Sequence, residues 1–400
     1  ADALARVVGA MPLLPAEQVP VADGLGRVLA EDVVSRRTQP PADVSAMDGY
    51  AVRAADVGSV PVTLKQIGVS QAGQRFAGAV GPGECARIFT GAPLPDGADA
   101  IVIQEDTTAV NEQITVMESA QSGADVRPAG LDFSVGDILL KTGAVLSARD
   151  LGLAAAMNVP WLRVRRRPRV AIVATGDEVM MPGDPIGADQ IVSSNSIALA
   201  AIVRVLGGEP LGLGIARDTD ASLRQVLSGA KGADVLVTIG GASVGDYDLV
   251  QKVMAEDGLD LNFYKVAMRP GKPLIFGRWK DIPVLGLPGN PVSAGVTSAI
   301  FLRAAINVML GIGDGGLGTE KARLGCDVKA NGMRQEFMRA TLDTDSDGNL
   351  VTTPFDRQDS AMMASFASAD CLVIRPVDAP SAQAGDIVEI VRFDKGLSRF

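Results

Sequence analysis

The run Arg169-Val170-Ala171-Ile172-Val173-Ala174-Thr175-Gly176-Asp177-Glu178 decides the reading of the chain. Residues 170–174 are wholly apolar, and the loop after them carries a glycine and two acids. An apolar run of strand length that ends in a turn suits a strand covered on both faces, as in a parallel sheet. The alternation continues downstream. Residues 196–206 read as an apolar-faced helix ending at Gly207-Gly208, 212–215 as a strand, 221–227 as a helix and 235–239 as a buried strand. Residues 249–254 follow as a helix and 262–268, 274–276 and 283–287 as strands, before a long helix from Pro291. Strands separated by helices predict a central doubly wound α/β domain, with a parallel sheet, over residues 169–317.

Outward from this domain the texture changes. Residues 46–138 hold short apolar runs (63–69, 100–104, 113–117) between turns such as Gly81-Pro82-Gly83, which predicts a β-rich lobe. Residues 3–8 and 21–31 read as helical pieces, stopped by Pro40-Pro41. Residues 147–157 read as a helix that packs back on them, so 1–45 and 139–168 are expected to form one discontinuous domain. From 318 to 400, short strands with Asn331-Gly332 and Asp347-Gly348 turns predict a small β-barrel or sandwich. The fold class expected is multidomain α/β plus β.

Composition narrows the function. The 37 basic and 47 acidic residues leave a formal charge of −10, which repels a nucleic-acid backbone. The basic cluster Arg163, Arg165, Arg166, Arg167 and Arg169 reads as a solvated connector into the first strand. The apolar stretch 292–312 contains Arg303 and Asn307 and reads as a buried helix rather than a membrane span. Cys85, Cys326 and Cys371 stand far apart with no C-x-x-C pair, and residues 1–10 lack the pattern of a secretory signal, so a reduced cytoplasm is expected. There is no histidine. Proton transfer and charge compensation must therefore fall to carboxylates, cations, hydroxyls, water or a metal.

In doubly wound sheets ligands sit beyond the carboxyl ends of the strands. Three loops are expected there: Thr175-Gly176-Asp177-Glu178, the run Gly240-Gly241-Ala242-Ser243-Val244-Gly245-Asp246-Tyr247-Asp248, and Pro288-Gly289-Asn290-Pro291. Glycines let backbone N–H groups approach an anion, and a helix N-terminus adds positive potential. Asn290 suits the N-cap and Pro291 the first helical position. No Walker loop is present and no G-x-G-x-x-G follows an expected strand of this sheet, which disfavours ordinary nucleotide hydrolysis and dinucleotide binding. The same edge is expected to gather Glu178, Asp218, Asp246 and Asp248 with Lys265, Arg269 and Lys272, a set suited to a phosphorylated ligand plus Mg²⁺.

Two motifs in the β-rich region are more specific: Ser45-Ala46-Met47-Asp48-Gly49-Tyr50-Ala51 and Arg87-Ile88-Phe89-Thr90-Gly91-Ala92-Pro93. Together with the three loops and Arg269-Pro270-Gly271-Lys272-Pro273, in this order, they make essentially the whole chain resemble the molybdopterin molybdenumtransferases, the bacterial MoeA family that includes the E domain of gephyrin. The resemblance implies an elongated four-domain subunit, a homodimer with its site at the subunit interface, and a linking or dimerisation role for the discontinuous domain. It implies insertion of molybdate into adenylylated molybdopterin, with Mg²⁺-dependent pyrophosphate cleavage and release of AMP. By motif, catalytic roles would fall on Asp48, Thr90, Glu178, Asp218 and Asp248, with Glu178, Asp218 and Asp248 as candidate Mg²⁺ ligands. Ligand binding would fall on Gly240, Gly241, Ser243, Gly245, Lys265, Arg269, Lys272, Pro288, Gly289, Asn290 and Pro291, and Asp132 also matches a family position. Ala42, Ala242 and Arg269 depart from common family residues without removing an acid. Contact with the molybdopterin adenylyltransferase would follow, and no nucleic-acid or membrane partner. Two other readings stay open: a molybdopterin adenylyltransferase, and a non-catalytic scaffold of the same fold. The charge problem is large in any case. Two dianions about 5 Å apart repel by roughly 13 kcal/mol at an effective dielectric near 20, so cations must stand beside them.

Overall fold

The computed structural model describes residues 2–241, 249–313 and 315–393. At its centre is a six-stranded sheet in the order Glu209–Ala216, Arg169–Thr175, Val235–Ile239, Ile282–Leu287, Pro273–Trp279, Leu259–Lys265. The apolar run that opened the sequence analysis supplies both faces. Val170 and Ile172 join Leu199, Val203 and Val296 in one buried cluster, while Ala171 and Val173 join Leu223, Leu227 and Val250 in another. Strand side chains alternate in direction, so a wholly apolar strand requires two covered faces.

The sheet is mixed rather than wholly parallel. The first four strands are parallel, and Pro273–Trp279 runs antiparallel between Ile282–Leu287 and Leu259–Lys265. Only Lys280 and Asp281 separate Trp279 from Ile282, far less than the dozen or more residues that a parallel crossover needs. Lys280 takes a left-handed φ of 55° in that turn.

The apolar stretch after Pro291 forms Pro291–Thr297, a π turn over Ser298–Leu302 and Arg303–Leu310, closed by Gly311 at φ 75°. By length and composition Pro291–Leu310 could cross a membrane, but 78% of its most apolar window is buried inside the protein. Its core-helix reading therefore agrees with the packing.

Residues 21–31 depart from expectation. Only Val21–Asp23 is helical, as a 3₁₀ turn, and Val28 and Leu29 bridge to Val145 and Val164. Gly24 still has helical backbone angles, but Gly26 turns at φ 68°, which a right-handed helix does not hold, and the chain beyond it is drawn into those bridges. Chain segments on both sides of the lobe share one core: Ala16–Pro20 pairs with Trp161–Arg165, and Leu29 packs with Leu146, Met157 and Leu162. The helix Ala148–Ala156 opens on a capping box between Ser147 and Asp150.

The arginine connector is also more than a solvated link. Arg166 donates both terminal nitrogens to Asp234 at 2.9 and 2.7 Å, and Asp234 accepts the Arg169 backbone N–H at 2.7 Å. Removing the acceptor leaves a part-buried guanidinium and a backbone donor without it. Asp234→Ala should lower unfolding free energy by about 2 kcal/mol, measured by urea denaturation.

The lobe forms a second six-stranded sheet in the order Ala100–Ile103, Gly49–Val52, Glu84–Ile88, Val62–Ser70, Gln113–Val116, Thr107–Val110. At the C-terminal end, Gln335–Thr344, Leu350–Pro354, Glu320–Leu324, Ile387–Arg392 and Cys371–Arg375 close into a ring, because the last pairs back onto the first. It is a barrel, not a sandwich. Met268–Arg269 lies parallel to Gln335 and Glu336 of this barrel, so a loop of the α/β domain is knitted into its wall.

Cys85 and Cys371 are fully buried, and burial pushes their thiols up, Cys85 to about 12. Cys326 is half-buried. A thiol reagent at pH 8 should therefore modify about one cysteine per native chain and all three after denaturation, counted by absorbance.

Candidate functional site

A cleft of about 700 Å³ opens at the carboxyl ends of the parallel strands. Thr175 and Glu178, Gly240 and Gly241, and Pro288, Gly289 and Asn290 line it, so the described parts of all three glycine loops meet there. Gly240 and Gly241 have φ of 86° and 63°. A Cβ on Gly240 would lie 3.1 Å from the Thr175 carbonyl and hydroxyl oxygens, and one on Gly289 would lie 3.8 Å from the Gly240 Cα. The loops touch, and glycine is what lets them.

The other wall comes from residues 269–273 and from the barrel, through Arg334, Gln358, Asp359 and Ser360. Sequence reasoning missed this barrel wall. No spacing marks it, because it is joined to the glycine loops only in space. Asn290 stands at the N-cap position, yet its side chain does not cap the helix. Its Nδ2 donates to Ser360 Oγ at 2.9 Å, and the Val292 N–H donates to the Ser360 carbonyl at 3.0 Å. The barrel thus takes up one of the free donors of that helix end.

Among the described lining residues, Arg269, Lys272 and Arg334 face two acids, Glu178 and Asp359. In a chain of net charge −10 the lining thus gathers three cations against two acids. Arg269 is paired with Glu336 at 3.1 Å. Lys272, Arg334 and Glu178 enter no ion pair among the described residues.

Other expected site residues lie elsewhere. Asp218 is exposed and donates its backbone N–H to Asp177 Oδ1 at 3.2 Å, which joins its loop to the one bearing Glu178. Lys265 lies over the Tyr264 ring at 4.8 Å and does not line the cleft. Pro291 opens its helix next to the lining residue Asn290. Asp132 is exposed in a turn, its N–H donating to the Gln39 carbonyl. Ser243, Gly245, Asp246 and Asp248 lie outside the described residues. Among the described residues no three acidic or thiol groups come together as a metal cluster.

The two lobe motifs form one unit. Gly49–Val52 pairs with Glu84–Ile88 in the register Gly49 to Ile88, which puts Asp48 beside Thr90. Asp48 Oδ1 accepts from the Thr90 N–H at 2.7 Å and the Thr90 hydroxyl at 2.8 Å. Those two donors, the backbone one foremost, hold the Asp48 carboxyl below the usual carboxylate range, with the nearby Arg87 charge helping and partial desolvation opposing. Arg87 lies 5.0 Å above both the Tyr50 and Phe89 rings and donates to the Gly49 carbonyl at 3.1 Å. Neither Asp48 nor Thr90 lines the cleft of its own chain.

Fold and cleft together define a multidomain protein built on an α/β core whose glycine-lined cleft is walled by a C-terminal barrel. Residues 1–158 match the model of the MoeA N-terminal region (domains I and II), 171–307 that of a probable molybdopterin binding domain, and 321–393 that of the MoeA C-terminal region (domain IV). A molybdopterin molybdenumtransferase of Nostoc is 38% identical over 79% of this chain and 75% of its own length. Molybdopterin molybdenumtransferase 2 of Mycobacterium tuberculosis is 35% identical over 93% of this chain and 94% of its own. The crystal structure of a molybdopterin biosynthesis MoeA protein from Pyrococcus horikoshii superposes with a TM-score of 0.84 at 35% identity, covering 98% of each chain. The chain belongs to the MoeA family.

Proposed function

We propose that this chain is a molybdopterin molybdenumtransferase of molybdenum cofactor biosynthesis, which inserts molybdate into adenylylated molybdopterin, cleaving the pyrophosphate and releasing AMP. The observation that carries the reading is the cleft itself: glycine loops on one side, and cations from two separate parts of the fold on the other, two of them without an ion pair among the described residues. Lys272 and Arg334 hold oxyanions, one as a point charge and the other as a planar fork. The missing side chains at Gly240 and Gly241 let the protein's own backbone N–H groups approach the phosphate closely. Arg269 stands behind them, already charge-paired.

The donor set suits Mg²⁺, since Glu178 offers a carboxylate in the cleft without an ion pair among the described residues and Asp218 comes in on the adjoining loop. Bound there with substrate oxygens, the ion would neutralise charge between neighbouring anions. Asp248 would be a third ligand. Lys265 would draw anions toward the edge, with Ser243 and Gly245 completing the glycine loop.

Asp48 and Thr90 complete the site, in our reading, from the second subunit of a homodimer. Residues 1–45 with 139–168, 46–138, 169–317 and 318–400 would be its four domains, and the protein would work in the cytoplasm beside the adenylyltransferase that supplies its substrate. The experiment is direct. Adenylylated molybdopterin, molybdate and Mg²⁺ should yield AMP, whereas MgATP-dependent adenylylation without that release would favour the adenylyltransferase reading. Specific activity should fall on dilution; a fully active monomer would remove Asp48 and Thr90 from a shared site.

A further inference from the structure

Arg339 is the bulkiest wholly buried side chain of the described residues, at 1% exposure, and it sits on the barrel strand Gln335–Thr344. An arginine taken out of water usually has a carboxylate beside it, because the desolvation cost is several kcal/mol. Arg339 forms no ion pair among the described residues. Its donors go instead to one short piece of chain. Nη2 donates to the Arg357 carbonyl at 3.1 Å, Nη1 to the Met362 carbonyl at 3.2 Å and to Ser365 Oγ, and Nε to Gln358 Oε1 at 3.4 Å. The Gln358 amide closes the circuit. Its Oε1 also accepts the Arg339 N–H at 3.0 Å, and its Nε2 donates back to the Arg339 carbonyl at 3.0 Å.

The clasped piece, residues 357–365, includes three of the four residues that the barrel contributes to the cleft, Gln358, Asp359 and Ser360, Arg334 being the fourth. Among the described residues the hydrogen bonds of this piece to the α/β domain are the two made by Ser360, which meets Asn290 and Val292, while the short helix Met363–Ala367 packs beside Pro291–Thr297. Two hydrogen bonds on the outer side leave much of the placement of 357–362 to its inner side. Four of the five guanidinium N–H groups hold that inner side, fanned in a plane that an ammonium cannot reproduce.

We propose that Arg339 is a positioning residue for the cleft: its buried guanidinium holds residues 357–362 as a wall and so sets the affinity for the phosphorylated substrate without touching it. The inference rests on the function proposed above only for its kinetic arm. Burial lowers the Arg339 pKa and Asp359 opposes that shift, but an arginine stays protonated throughout the working range.

The test uses full-length Arg339→Met and Arg339→Lys, with Ser365→Ala as a milder variant that removes one acceptor of the clasp and leaves the buried charge. Amide hydrogen exchange should speed up at least tenfold over 357–362 in both Arg339 variants, while the central sheet strands keep their protection. In the molybdate insertion assay KM for adenylylated molybdopterin should rise about tenfold or more, with kcat changed less than threefold. Ser365→Ala should show the same pattern at two- to threefold. Arg339→Lys should recover little, since three donors on a point charge cannot span Arg357, Gln358 and Met362. If exchange at 357–362 stays at the wild-type rate, or KM is unmoved while only melting temperature drops, the positioning role is wrong. Should both Arg339 variants fail to fold, Ser365→Ala with unchanged exchange would overturn it alone. Absence of AMP release in the wild-type protein would sink the functional reading and leave the exchange arm standing.

Discussion

Asp48→Asn should lower molybdate-dependent AMP release by about a hundredfold or more while leaving melting temperature within a few degrees of the wild type. The substitution is nearly isosteric, and an amide oxygen can still accept from the Thr90 N–H and hydroxyl at the 2.7 and 2.8 Å seen for the carboxylate. What disappears is the charge, and loss of one preorganised charged or proton-transferring group typically costs 10²–10³ in kcat. The pH profile separates this from a packing effect. A carboxyl whose pKa is depressed in the folded protein keeps its charge as pH falls through the ordinary carboxylate range, near 4, and loses it only below. The acid limb governed by Asp48 should thus lie below that range in the wild type. Thr90→Ala, which removes the hydroxyl donor, should move the limb upward and reduce activity about tenfold. A hundredfold loss with no movement of the acid limb in Thr90→Ala would argue that Asp48 acts only on structure. Full activity in Asp48→Asn would end its proposed role.

Lys272→Met should reduce kcat/KM for adenylylated molybdopterin about a hundredfold, and Lys272→Met combined with Arg334→Met should reduce it further but by less than the product of the single effects. Both residues line one cleft, and neither has an ion pair among the described residues, so each is free to meet an oxyanion. Truncating one partner of a desolvated charge pair costs 2–5 kcal/mol, and two groups acting on the same anion do not add. The loss should grow as salt is lowered, because the wild type then gains from attraction that the variant lacks. An unchanged KM and kcat in the double variant, measured by steady-state AMP release, would place the anion elsewhere.

Much of this was readable in the residues. The wholly apolar strand 170–174 required cover on two sides, and its neighbours Ala171 and Val173 do pack opposite Val170 and Ile172. Gly240 was readable as part of a glycine loop at the strand ends, and its positive φ and close approach to Thr175 are what glycine tolerates cheaply. The mixed sheet is written in the short Lys280-Asp281 turn, as a parallel crossover cannot be made from two residues. The helix expected over 21–31 failed because Gly26 turns at φ 68° and because Val28 and Leu29 bridge to Val145 and Val164, partners more than a hundred residues away that local pattern does not carry.

Sequence by itself therefore settled the periodicities, the glycine loops, the absence of histidine and the motifs that carry the family resemblance. All of these are properties of single residues or of neighbours along the chain. Tertiary structure decided which of them share a cleft. Arg334, Gln358 and Ser360 belong to it, Asp48 and Thr90 stand outside it within one chain, and Arg269 meets Glu336 before it meets any ligand. The physical reason is that strand pairing and barrel closure join residues with no fixed sequence spacing. Charge and burial are then set by neighbours in space, which no local window of the chain contains.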